Sequence, residues 1–247
     1  MNKNSNSYIF IYASVMVVLV AVILTSANLA LKPLQKKNIE NEKMINLLSA
    51  IGVQSDAKTA AELYNKFLVK EVIVDKEGNE LSVYSKGKLE LGDSRAFDIN
   101  LKSALNDIKK DGKVAMPLFI MENEGETFYI IPVYGKGLWG PIYGNIALES
   151  DKNTVAAVNF GHDGETPGLG AEIVNKPFTN EFKNKQIFKD GNFVSVTVVK
   201  GGVASQSKVA AENGVDAISG STLTCNGVSA MLNDCVINYV NYLKKDK

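Results

Sequence analysis

A single histidine and two cysteines among 247 residues are too few soft ligands for a zinc or iron–sulfur site built from this chain alone. Cys225 and Cys235 fall on one expected helix, about 15 Å apart along its axis, so they cannot form a disulfide with each other and read as small core residues. Excess charge is missing too. Lys and Arg number 27 against 27 Asp and Glu, and no basic run alternates with aromatics, which leaves nucleic acid out of the expected partners. No G-x-G-x-x-G follows a strand-like run, so nothing marks a Rossmann-type dinucleotide site. A hydrolase built on His162, Asp163 and one of the serines is the enzyme alternative, but adjacent His and Asp do not make a triad and no G-x-S-x-G elbow is present. Internal repeats and low-complexity linkers are absent as well.

What is present is an ordinary apolar share, 45%, and enough length for one substantial domain with an appendage, or for two small ones. Tyr8 to Leu31 carries no charge. As a helix this run is about 36 Å long, enough to cross a hydrocarbon core of about 30 Å. The expected reading is an uncleaved membrane anchor; the alternative is a signal peptide cut near Thr25-Ser26-Ala27. Lys3 precedes the span while Lys32, Lys36 and Lys37 follow it, so a positive-inside count places the following domain in the cytoplasm.

Beyond Pro33, residues 36 to 69 read as two helices, the second opened by Thr59-Ala60-Ala61-Glu62 as a capping box. From Glu71 the texture turns β-like. A hairpin is expected around Glu77-Gly78-Asn79, a short amphipathic helix over 98–111, and then four strands over 114–121, 127–134, 142–149 and 154–160. Short polar turns between alternating strands imply a mostly antiparallel sheet, hence an α+β fold. The expected organisation is an anchor over 1–34, a helical stalk or base over 35–70, and one α+β domain with flanking helices over 71–247.

Four segments carry candidate chemistry. The stretch from Asp216 to Val228 runs from a strand end through a small-residue turn into a helix whose apolar residues, Val228, Met231, Leu232, Cys235, Val236, Tyr239, Val240 and Leu243, define one buried face. Four hydroxyl residues, Ser219, Ser221, Thr222 and Thr224, crowd its start. A helix N-terminus offers free N–H groups and a positive dipole end, so the turn suits a phosphate; the plain alternative is an ordinary Ser or Thr N-cap. Gly135 to Gly144 sets the only tryptophan, Trp139, in a glycine-rich loop between strands. It reads as a plug over the core or as an aromatic plate against a planar ring, with glycines permitting close backbone approach. Gly161 to Gly170 holds four glycines and a proline, either a long surface turn or a loop presenting main-chain N–H groups to a ligand. Lys200 closes a strand before two glycines, as a solvated strand end or as a partner for an anion.

The Ser219–Thr224 run resembles the flavinylation motif of the FMN-binding subunits of bacterial sodium- and proton-pumping redox complexes, in which the last threonine of an S-G-A-T-x-T run is joined to FMN through a phosphoester. Ser221 stands where that family has alanine. The motifs GKGLW, ETPGLG, VKGG and GVDAISGSTLTCNGV follow one another here after a single N-terminal span. In that order they resemble the C subunits of sodium-translocating NADH:quinone reductases over essentially the whole chain. The G subunits of Rnf-type complexes share ETPGLG and the threonine motif and are the alternative family; a membrane-anchored FMN-binding sensory module is the non-redox alternative. The resemblance implies an electron-carrying subunit of a membrane complex, with Thr224 as the residue bearing covalent FMN and Gly220, Ser221 and Thr222 as supporting turn residues. It makes Trp139, Glu165, Thr166, Gly168, Leu169 and Lys200 flavin neighbours. It also implies other subunits as partners, and a separate flavin transferase using FAD and magnesium that recognises Asp216. The flavin domain would stand on the outer face of the inner membrane, against the charge count; the resemblance is followed. No metal ligand and no catalytic residue is expected.

Overall fold

The architecture is that of a computed structural model, which describes residues 5–205 and 208–245. The chain divides into two compact units, Met1–Lys43 and Met44–Lys247. Helix α1 runs from Asn6 to Ser49 with Pro33 inside it, so the helix expected to begin beyond Pro33 is a continuation of the first. Proline removes one i→i−4 bond, at about 3 kcal/mol, and the Leu, Gln, Lys, Glu and Met residues that follow are strong helix formers that carry the helix onward. Among the described residues, α1 is the one helix long and apolar enough to cross a membrane, and none of its apolar window is buried by protein. Side chains such as Phe10, Val17, Ile23 and Leu24 are more than half exposed, an apolar surface that suits lipid.

In the second unit the end of α1 is core: Leu47, Leu48, Ala50 and Ile51 are buried. Helix α2, Ala60–Phe67, is opened by Asp56 and not by the expected Thr59 box. Thr59 already has helical dihedrals and makes no cap bond forward. Its N–H and that of Lys58 bond to Asp56 Oδ1 at 2.9 and 3.0 Å, while Asp56 N–H bonds back to Thr59 Oγ1 at 3.1 Å. This is a reciprocal cap set three residues earlier.

The sheet contains β1 Leu68–Val74, β2 Glu80–Ser85, β3 Lys88–Leu91, β4 Met116–Asn123, β5 Glu126–Lys136, β6 Pro141–Leu148 and β7 Val155–His162. Their order is β3-β2-β1-β4-β5-β6-β7, every neighbour antiparallel, as the polar turns imply. Helix α3, Leu101–Asp111, fills the β3–β4 connection, capped by Asn100 at 3.0 Å from Ser103 N. Residue alternation gives the sheet two buried faces. Val72, Val74, Leu118 and Ile120 lie in one cluster, with the later helices; Ile73, Phe119, Met121 and Ile130 lie in the other, with Tyr64 of α2 and the end of α1.

The chain then passes through α4, Lys176–Thr179, a small β8–β9 hairpin at Phe188–Lys189 and Asn192–Phe193, and the strands β10, Thr197–Val199, and β11, Gly214–Asp216, which pair in parallel. Helix α5, Thr222–Val236, follows, and α6, Val240–Lys244, closes the described chain. Val228, Met231, Leu232, Cys235 and Val236 are buried, as the spacing requires. The helix does not run unbroken to Leu243. Asn238 Nδ2 bonds the carbonyls of Asp234 and Cys235 at 2.8 and 3.2 Å, and residues 237–239 tighten into a 3-10 turn.

Candidate functional site

Helix α5 is held against β5 by close backbone approach. A Cβ on Gly227 would collide with the Lys136 carbonyl oxygen, and one on Gly135 would press on Met231. Gly227→Ala is therefore expected to push α5 off the strand and cost about 1–3 kcal/mol, read by thermal denaturation. The seating puts the first turn of α5 beside the β5–β6 turn, whose tip carries Trp139.

Thr224, in that first turn, is only 1% exposed. Its hydroxyl donates to Glu165 Oε2 at 2.6 Å, a short charge-assisted bond between residues 59 apart in the chain. Glu165 is itself 4% exposed, and its other oxygen accepts the Trp139 N–H at 2.9 Å. The Glu165 N–H donates to His162 Nδ1 at 3.2 Å. Burial pushes the Glu165 carboxyl up, but the Thr224 hydroxyl and the N–H groups of Trp139, Gly140 and Leu138 together outweigh it and hold the group below its ordinary value. Glu165 is thus ionised at neutral pH, and its contribution to stability is lost only as pH falls through that lowered value. Gly170 completes the enclosure, since a Cβ there would strike both the Glu165 carboxylate and Thr224 Oγ1.

The plain N-cap reading of Ser221 fails. Its side chain makes no cap bond, and its Oγ is buried without a hydrogen-bond partner among the described residues. A hydroxyl so placed is normally costly, and its position at a helix N-terminus is where an anion would satisfy it. Ser221→Ala is expected to leave the unloaded chain as stable as before or up to about 1 kcal/mol more stable in thermal denaturation; a clear loss would show that the hydroxyl is bonded. Thr222 is half-buried, and Gly220 has a left-handed φ of 78° that makes the turn.

Trp139 is 69% exposed, so it is not a plug over the core. Leu138, Leu169 and Leu223 are exposed as well, the last beside Thr224 in sequence. In the 161–170 loop the amides of Gly168, Leu169 and Ala171 are bonded within the loop, to Glu172 Oε1 and the Thr166 carbonyl. What this loop also brings to the site is the Glu165 side chain. Thr166 is exposed, and Gly168 turns with φ of 76°. Lys200 is exposed just beyond β10, where the Ala217 N–H bonds the Val199 carbonyl. Asp216 is exposed, its Oδ1 accepting from Val203 N at 2.7 Å and its own N–H donating to Glu181 Oε2 at 2.8 Å. The hydrolase alternative has no relay: His162 Nδ1 accepts a backbone N–H, and Ser221 Oγ touches no partner. Among the described residues no cluster of three or more His, Cys, Asp or Glu can hold a metal. A groove of about 740 Å³ between α3 and α5, with Lys102, Leu105, Lys109, Lys136, Met231 and Ile237 on its walls, contains neither Thr224 nor Glu165.

Residues 137–237, which include Trp139, Glu165 and Thr224, match the FMN-binding domain family. The chain is similar to the C subunit of the Na(+)-translocating NADH-quinone reductase of Vibrio alginolyticus, 30% identical, with 84% of this chain and 81% of the relative covered. Its counterpart from Haemophilus ducreyi is 30% identical, over 92% of this chain and 88% of the relative. The chain belongs to this family of C subunits. A crystal structure of the family member from Parabacteroides distasonis superposes with a TM-score of 0.76 at 36% identity, covering 88% of this chain and 98% of that one. Membership in the family accords with an apolar N-terminal helix and an antiparallel α+β domain, and the chain is membrane-anchored.

Two features of the site were not read from the sequence. Gly170, Gly227 and Gly137 act through close approach, for which glycine abundance is only a faint signal. The Glu165 carboxylate, expected as a flavin neighbour, is the direct hydrogen-bond partner of Thr224, a pairing the sequence did not signal.

Proposed function

We propose that this chain is the FMN-carrying, electron-relaying subunit of a sodium-translocating NADH:quinone reductase, with the flavin joined to Thr224 through a phosphoester. The observation that supports it most is the Thr224 hydroxyl, held against a carboxylate in the first turn of α5, where two glycine loops meet. The site fits a flavin phosphate: the unpartnered Ser221 Oγ and the α5 N-terminus suit its charge, and the exposed Leu138, Trp139, Leu169 and Leu223 offer apolar surface for a ring. FMN, when bound, supplies the electron chemistry; the protein supplies position and electrostatics. Gly220 shapes the attachment turn, Thr222 starts the helix, Thr166 and Gly168 support the Glu165 loop, and Lys200 offers a positive charge. NADH is oxidised and quinone reduced at other subunits of the complex.

Maturation needs a separate flavin transferase, with exposed Asp216 as its recognition residue, and the soluble domain stands on the outer face of the inner membrane. Peptide mass spectrometry of protein from cells containing the transferase tests the attachment: FMN is expected on the peptide containing Thr224. FMN on another residue, or on none, would overturn it. Protease added to intact spheroplasts should digest the domain, and full protection would refute the outer location.

A further inference from the structure

We propose that Glu165 is the general base of flavin attachment, taking the Thr224 hydroxyl proton as that oxygen attacks the flavin-bearing phosphorus. The inference rests on the reading of Thr224 as the attachment residue and concerns how that residue is made reactive. A threonine hydroxyl is a weak nucleophile, activated when a base sits within hydrogen-bond reach of its proton. Here the base is in place before any flavin arrives, 2.6 Å from Thr224 Oγ1.

The co-reactant is a flavin dinucleotide presented by the transferase. The Thr224 Oγ–P bond forms and the phosphoanhydride P–O bond breaks. The nucleoside monophosphate departs with the bridging oxygen, and the hydroxyl proton passes to the Glu165 carboxylate. No electrons change hands. The proton transfer also removes a conflict, because a buried carboxylate and a new phosphodiester anion side by side disfavour each other's charge, and the neutral acid relieves this.

Thr224 Oγ1 is bonded to Glu165 Oε2, and the Gly170 backbone packs against both. The base is tied to the opposite wall, through the Trp139 N–H and through its own N–H to His162 Nδ1. Residues 166–169, next to Gly170, are exposed, so the outer side of this arm is open to the transferase. The arrangement also accounts for glycine at 137 and 170, where any side chain would displace the carboxylate.

The test uses the full chain made without the transferase, purified in detergent, then incubated with transferase, FAD and magnesium. Flavin incorporation is followed by in-gel fluorescence and intact mass, and the labelled residue by peptide mass spectrometry. Glu165→Gln keeps the shape and an acceptor oxygen but not the base, so its initial rate should fall about 10²-fold or more, with the label still on Thr224. In Glu165→Ala, added formate should restore part of the rate, a response that a merely structural role would not give. Labelling of Glu165→Gln within about threefold of the unmodified chain, or no formate response in Glu165→Ala, overturns the proposal and leaves Thr224 as attachment site. A label on another residue in the unmodified chain would instead overturn the attachment reading itself.

Discussion

Thr224→Val is expected to abolish covalent flavin. On a denaturing gel under ultraviolet light, protein from cells containing the transferase should fluoresce, and the valine variant should be dark. Valine preserves the β-branched shape and most of the volume in the first turn of α5, so the packing around a residue 1% exposed survives. What disappears is the hydroxyl proposed to form the phosphoester. The Glu165 carboxylate also loses a donor at 2.6 Å but keeps the Trp139 N–H, a cost of about 1–3 kcal/mol that a domain of this size tolerates. Thr224→Ser retains the hydroxyl and should regain part of the label. A fluorescent Thr224→Val band of undiminished intensity would place the flavin elsewhere. In membranes containing the whole complex, the same variant should reduce NADH-driven quinone reduction to background. Unchanged activity would mean that this flavin lies off the required electron route, as a non-redox binding module would.

Arg95→Ala is expected to be among the most destabilising single changes in the domain, although Arg95 is far from the Thr224 site in sequence. It is the only arginine in the chain. Glu71 sits on the face of β1 turned toward α2, its side chain 0% exposed. Four donors converge on its carboxylate: the Arg95 guanidinium through two nitrogens, the Tyr64 hydroxyl at 3.0 Å and the Phe97 N–H at 3.0 Å. Burial and the adjacent carboxylate push the Tyr64 phenol well up, so it remains a donor. Arg95 also lies over the Tyr84 ring, 3.8 Å from its centroid. Removing the guanidinium leaves a buried carboxylate without a counter-charge, which costs about 3–5 kcal/mol; with Arg95 34% exposed, the lower end applies. For a domain of this size that is a fall of about 6–12 °C in melting temperature. Adding Glu71→Gln should recover much of the loss, because the neutral amide needs no counter-charge, and its oxygen can accept the Phe97 N–H while its NH2 donates to the Tyr64 hydroxyl oxygen. A single Arg95→Ala variant that melts within about 2 °C of the unmodified chain would show that water replaces the guanidinium.

Elements whose deciding interactions are local were legible in the chain. The uncharged run at residues 8–31, the hairpin at Gly78, the strand alternation and the buried stripe of α5 are all set within a few residues by periodicity and turn chemistry. Positions where two local signals compete came out differently from expectation. Thr59-x-x-Glu62 and Asp56-x-x-Thr59 are both plausible caps, and Asp56 took the role because its carboxylate reaches two amides at once. Asn238 looked like one more helical position until its side chain took two carbonyls of the turn before it. Pro33 looked like a boundary, yet one lost hydrogen bond does not end a helix flanked by strong helix formers.

By itself, then, the sequence determined the anchor helix, the α+β class, the antiparallel strands and the hydroxyl-rich turn at the start of α5, with Thr224 in it. Only the tertiary structure decided what that threonine touches. Glu165 reaches it across 59 residues, and Arg95 reaches Glu71 across 24. Such contacts depend on sheet register and on how closely α5 can approach β5 at Gly227, and neither leaves a periodic trace in the chain. The same reason explains Ser221: its sequence position suits an N-cap, but the packed turn buries its hydroxyl with no hydrogen-bond partner among the described residues.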